Sequence, residues 1–175
     1  MTTFVNTPFG ALEGTEQDGV YRFLGVPFAE KPLGELRFRA PQMVRPWTET
    51  RQATGYEKDP MQANLVLGPE HYSEDCLYLN LWVPETTAKK LPVMVWVPGG
   101  AFATGGSGAV DPEGPSIYDC QQLAKDGGCI VVSISYRLNV FGFLNLSQFS
   151  SRFDDNIGMR DIIMALRWVQ EAIAS

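Results

Sequence analysis

The sequence predicts an α/β fold in which a small antiparallel N-terminal sheet leads into a mostly parallel central sheet with helical crossovers. Three observations carry this. Val93 to Val97 is apolar without alternation, the composition of a strand covered on both faces, and it breaks into a glycine loop that runs to Ser107. Cys129 to Ile134, CIVVSI, repeats that composition after a helix-forming stretch. Asp154, Asp155 and Asn156 then offer caps for an amphipathic helix from about Ile157 to Ala174.

From Thr3 to Phe28, short apolar pairs are punctuated by Pro8-Phe9-Gly10, Gly14 and Asp18-Gly19, which reads as small hairpins with Asp-Gly as the best turn signal. Gly25 to Pro41 is broken by prolines and glycines and must be an ordered loop. Gln42 to Tyr72 has little periodicity, and Trp47 is its expected anchor in the core. Cys76 to Val83, CLYLNLWV, is a strand ended by Pro84, and a polar hinge from Glu85 to Lys90 leads to the strand before the glycine loop. Pro115 to Gly127 predicts a helix with Ile117, Cys120 and Leu123 at three-residue spacing and Gly127-Gly128 as its stop. The last helix should bury a stripe of Ile162, Leu166, Val169 and Ile173, with Met159 and Ile163 alongside.

With 175 residues, of which 45% are hydrophobic, the chain can bury one sizeable core. A net charge of -6 without a Lys/Arg cluster argues against nucleic acid or an anionic membrane as partner. No apolar run reaches the length of a membrane span. The N-terminus lacks a basic start and an apolar core, and three cysteines cannot all pair internally; together these predict a reducing, cytoplasmic setting with buried thiols. Asn145-Leu146-Ser147 is a glycosylation sequon that matters only in a secreted protein.

Chemistry should sit beyond the end of the Val93 to Val97 strand, where open α/β sheets gather their ligands. Gly99, Gly100, Gly105, Gly106 and Gly108 let bare backbone approach a ligand there. A phosphate cradle fails, because Gly106 stands where GxxxxGK[ST] requires its lysine. Two readings stay open: an oxyanion hole, in which successive N–H groups meet a developing negative oxygen, and a turn that merely uses glycine.

Three segments, SEDCLYLNLWVP from Ser73, PVMVWVPGGAF from Pro92 and NIGMRDIIMALRWVQEAIAS from Asn156, together resemble the type-B carboxylesterases and cholinesterases of the α/β-hydrolase fold. FLGVPFAEKPLGELRFRAP from Phe23 is similar to the same family, so the resemblance runs from about Gly10 to Ser175. It implies that residues 1–175 are the N-terminal part of a single domain, without its nucleophile elbow and C-terminal part. The oxyanion donors fall by resemblance on the N–H groups of Gly100 and Ala101, in a loop that usually reads HGGGF and here reads Pro98-Gly99-Gly100-Ala101-Phe102. That hole survives the Ala if its backbone need not take a positive φ.

The implied reaction is acyl transfer from a small carboxylic ester to serine, then hydrolysis of the acyl-enzyme, with no cofactor and no metal. The chain has no GxSxG and a single histidine, His71, which reads as a surface residue; Ser175 sits at a helix end and not on an elbow. Arg37 with Glu74, and Arg137 with Asp161, match positions that pair in the family and imply scaffold links. Cys76 matches a cysteine that secreted relatives bridge to an upstream one, which this chain lacks. Met61 to Ser73 contains no Trp to face a choline cation, so the resemblance argues against a choline ester. The expected outcome is an N-terminal portion of a serine carboxylic ester hydrolase, inactive in isolation. The alternative is a non-catalytic binding or adhesion member of the same fold, or a truncated product with a binding role.

Overall fold

The computed structural model describes residues 1–62, 68–88, 90–108 and 118–173. Strands β1 (Thr2–Thr7), β2 (Gly10–Gln17) and β3 (Val20–Pro27) form an antiparallel meander. Asp18 and Gly19, at φ 52° and 78°, make the β2–β3 turn, because left-handed residues at both central positions match the twist of the flanking strands. Gly10 is a glycine by necessity: a Cβ there would strike the indole of Trp47, whose Nε1–H donates to the Ala11 carbonyl at 2.9 Å. Trp47 thus closes the first hairpin and packs against the core.

Two-residue strands β4 (Arg51–Gln52), β5 (Asp59–Pro60) and β6 (Tyr72–Ser73) follow, with β4 parallel to β2 and β5 parallel to β6. The long strands β7 (Tyr78–Pro84), β8 (Val93–Trp96) and β9 (Ile130–Ile134) complete one sheet in the order β1-β2-β3-β7-β9-β8. The β3–β7 and β7–β9 pairs are antiparallel, and β8–β9 is parallel. The sheet is therefore mixed, with parallel pairing between β2 and the short β4 and between β8 and β9, the pair that a helical crossover joins.

That crossover contains α1 (Gln121–Gly127), which stops at Gly128 in the left-handed conformation. The predicted start of this helix, Pro115 and Ile117, lies outside the described residues, as does Ser175. Leu123 faces solvent, and Cys120 and Ala124 form the buried side, since α1 rests on Val20, Leu24, Trp82 and Val131. Helix α2 (Asn139–Phe143) is one turn, and α3 (Ile157–Ile173) covers the opposite face of the sheet against Phe9, Leu12, Phe28, Leu79 and Val132. The sheet is thus sandwiched, and β7 and β9 are buried on both faces as their composition predicts.

Three expectations need correction. Strand β8 has the same composition as β9, yet Val93, Met94 and Trp96, with Val97 beyond them, are about two-fifths exposed, because β8 is the sheet's edge and α1 leans on β3 and β7 instead. On α3 the inward face is Ile157, Asp161, Ala165, Trp168 and Val169, whereas Met159, Ile163 and Leu166 point outward. Of the predicted stripe, Val169 is buried and Ile162 and Ile173 pack against the core, while Leu166 faces outward; the inner face also runs through Asp161 and Trp168, which an apolar stripe leaves out. Nor does Asp154 serve as a cap: its carboxylate accepts from the Ala40 N–H at 2.8 Å and pairs with Arg39 at 3.1 Å, tying the proline-broken loop to the approach to α3.

Candidate active-site loop

The chain leaves β8 at Pro98, whose carbonyl accepts from the buried Tyr136 hydroxyl at 3.2 Å. Gly100, Ala101 and Phe102 then take φ of 127°, 54° and 60°. The condition set for Ala101, that its backbone need not take a positive φ, is not met; Ala101 holds the left-handed conformation at a steric cost and still presents its N–H. The turn closes where the N–H groups of Ala103 and Thr104 donate to the Gly100 carbonyl at 3.0 and 3.1 Å. Among the described residues the N–H groups of Gly100 and Ala101 have no acceptor, and both residues are exposed. Two adjacent free donors stand at the strand's carboxyl end.

The rest of the loop is fastened to the scaffold at nearly every step. Asn139, itself left-handed at φ 52°, donates its N–H to the Phe102 carbonyl at 2.9 Å and its Nδ2 to the Ala103 carbonyl at 2.8 Å. Gln62 meets Gly105 with both ends of its amide, Oε1 accepting at 2.9 Å and Nε2 donating at 2.7 Å. Ser107 is buried between Ser135, whose Oγ accepts its N–H at 3.0 Å, and Asn80, which donates to its carbonyl at 2.9 Å. The other end of the Asn80 amide accepts from the Gly25 N–H, so strands β3 and β7 are joined to the loop through one side chain. Asp59 Oδ1 accepts from the Gly108 N–H at 2.8 Å, and burial pushes its carboxyl from 3.8 up to about 6, against the pull of that bond and of His71.

These fasteners escaped the sequence reading in unequal degrees. Asn80 is the one polar residue within LYLNLWV, and Ser135 directly follows the next apolar strand, so each carries a signal. Asp59, Gln62 and Asn139 carry none, since only the topology brings them to the loop.

Arg37 and Glu74 meet in a two-bonded pair at the surface, Nη2 to Oε1 at 2.7 Å, and hydrogen bonding to Glu74 raises the guanidinium's affinity for its proton. Arg137 and Asp161 are both buried: Nε and Nη2 donate to the carboxylate at 2.8 and 2.7 Å, and the Arg137 N–H adds a third bond at 3.0 Å. Burial pushes the Asp161 carboxyl up, opposed by those three bonds. The two arginines line one narrow crevice with Phe38, Met61 and Cys76. Neither pair reaches the free donors. His71 is half-exposed beside Glu70. The three cysteines are buried and free, and burial holds the Cys76 thiol well above its ordinary range. No helix of the described residues is long and apolar enough to cross a membrane.

Residues 1–175 match the Carboxylesterase family. The para-nitrobenzyl esterase of Bacillus subtilis is 41% identical over 98% of this chain and 35% of its own length. Acetylcholinesterase of Bungarus fasciatus is 39% identical over 97% of the chain and 29% of its own. Among solved structures, a para-nitrobenzyl esterase superposes with a TM-score of 0.88 at 41% identity, covering 98% of this chain and 35% of that one. The carboxylesterase of Geobacillus stearothermophilus gives 0.87 at 41%, over 98% and 34%. This chain thus spans about a third of the length of these relatives, and its fold is the N-terminal part of theirs, the α/β-hydrolase fold.

The cytoplasmic expectation is overturned, because acetylcholinesterases and liver carboxylesterases among the relatives are secreted or lumenal proteins. Unpaired cysteines that are shielded from solvent are chemically inert and carry no address. The segments that suggested a resemblance, the match along all 175 residues and the superposed fold agree: this chain belongs to the carboxylesterase family, the carboxylic ester hydrolases of type B.

Proposed function

We propose that the chain is the N-terminal portion of one domain of a serine carboxylic ester hydrolase, to which it contributes the oxyanion hole. The observation that carries this is the pair of free, adjacent N–H groups at Gly100 and Ala101. When serine attacks an ester carbonyl, negative charge collects on the carbonyl oxygen, and donors already in place stabilise it without reorganising. Each such donor lowers the barrier by about 3 kcal/mol. A loop bonded to the scaffold on both limbs meets that demand. Nucleophile and base lie outside this chain, so it does no covalent chemistry alone. The substrate is a small carboxylic ester, and the acyl-enzyme route needs no cofactor.

The test is a hybrid in which this chain replaces the matching first third of the Bacillus subtilis para-nitrobenzyl esterase. Hydrolysis of a para-nitrobenzyl ester by the hybrid, with no fluorophosphonate labelling of the separate 175-residue chain, is the expected result. A folded hybrid that leaves the ester intact refutes the reading and favours a binding member of the fold.

A further inference from the structure

The free donors are only as well placed as the peptide planes that carry them. The Gly100 N–H shares its plane with the Gly99 carbonyl, and a Cβ on Gly105 would collide with that carbonyl oxygen. Gly105 therefore backs the plane directly. Gly105 is in turn gripped by Gln62 through both its N–H and its carbonyl, at 2.9 and 2.7 Å, a side chain standing in for a neighbouring strand. Gln62 Nε2 also donates to the Pro60 carbonyl at 3.0 Å, which fixes the amide before it reaches the loop.

Three residues earlier, on β5, Asp59 is 3% exposed and accepts the Gly108 N–H. A side chain at Gly106 would collide with the Asp59 carboxylate, and one at Gly108 with the Glu57 carbonyl. The returning limb of the loop is thus built against residues 57–62, with two glycines shaped to them. The titratable groups facing Asp59 are His71, just before β6, and the buried Cys76 thiol.

We propose that Gln62 and Asp59 are positioning residues for the oxyanion loop: they hold Gly105 and Gly108, and through Gly105 they set the plane from which the Gly100 N–H projects. This rests on the oxyanion reading of the loop.

Amide exchange in the 175-residue chain tests it. Gln62→Ala is expected to speed exchange at Gly105, and Asp59→Ala at Gly108, by about tenfold each, the effect of one lost hydrogen bond, with β9 amides unchanged. In the unmodified chain the Gly108 amide proton shift should titrate with a midpoint of about 6 and stop titrating in Asp59→Asn. Unchanged exchange at both glycines, or a flat Gly108 shift in the unmodified chain, overturns the proposal. If the alanine variants also lose β9 protection, the Gln62→Ala and Gln62→Glu hybrids decide. In the esterase hybrid, Gln62→Ala should lower kcat by about tenfold with KM unchanged, and Gln62→Glu, which keeps one acceptor, should recover part of it. An active hybrid indifferent to Gln62→Ala sinks the positioning role and leaves the oxyanion reading standing. A folded, inactive hybrid sinks both.

Discussion

Ala101 holds a backbone conformation that suits glycine, at φ 54°, in the turn that presents the free donors. A left-handed residue with a Cβ costs roughly 1–2 kcal/mol, so Ala101→Gly should stabilise the protein by about 1 kcal/mol, read as a higher midpoint in urea unfolding. A lower midpoint would mean that the Ala101 methyl makes contacts that offset its strain. Asp59 gives a second prediction, with the opposite sign from most carboxylates. Its folded pKa of about 6 lies above the ordinary 3.8, so the charged form is the disfavoured one. The group's contribution to stability is present below about pH 4 and is lost as pH rises through about 6. Asp59→Asn, which cannot ionise, should be more stable than the parent at pH 7 by up to about 3 kcal/mol, with the gain vanishing near pH 4. Equal stability at both pH values would show that Asp59 titrates as an ordinary exposed carboxylate.

At the scale of elements, what the sequence revealed depended on how completely each element is covered. Val131 to Ile134 reads as a buried strand and is one, and Leu77 to Trp82, read only as a strand, is buried as well, because helices lie on both faces. Strand β8 carries the same signal but stands at the edge, and hydropathy cannot tell a covered strand from one at a sheet's edge. Helix α3 turns Ile162, Val169 and Ile173 of its predicted stripe to the core, while Leu166, Met159 and Ile163 face outward, because the inner face also runs through Asp161, a residue that hydropathy places outside. An unpaired apolar edge is a template for further pairing, so the isolated chain should self-associate, and Trp96→Lys should reduce that in light scattering at matched concentration. Aggregation unaffected by the lysine would point to another surface, such as the outer face of α3. Inside α3, Arg137 and Asp161 bond the end of the β9 segment to the helix in a fully buried pair. Asp161→Ala leaves a buried guanidinium without its carboxylate and should cost about 3 to 5 kcal/mol in denaturant unfolding.

For the molecule as a whole, the fold and the family were legible in the order of short segments, while the site was legible only in part. Consecutive glycines at the end of an apolar strand announced the loop. The residues that hold it lie at positions 57–62, 80, 135 and 139, and their relation to the loop exists only once the sheet is assembled. The chain spans about a third of its relatives' length, and among the described residues the β8 edge and the outer face of α3 expose large apolar side chains. The central claim is that Gly100 and Ala101 supply an oxyanion hole, and turnover by the hybrid esterase measures it most directly. The account predicts that the hybrid hydrolyses a para-nitrobenzyl ester while the separate 175-residue chain does not. A hybrid that melts cooperatively yet shows no turnover would contradict it, leaving a well-anchored glycine turn without a catalytic role.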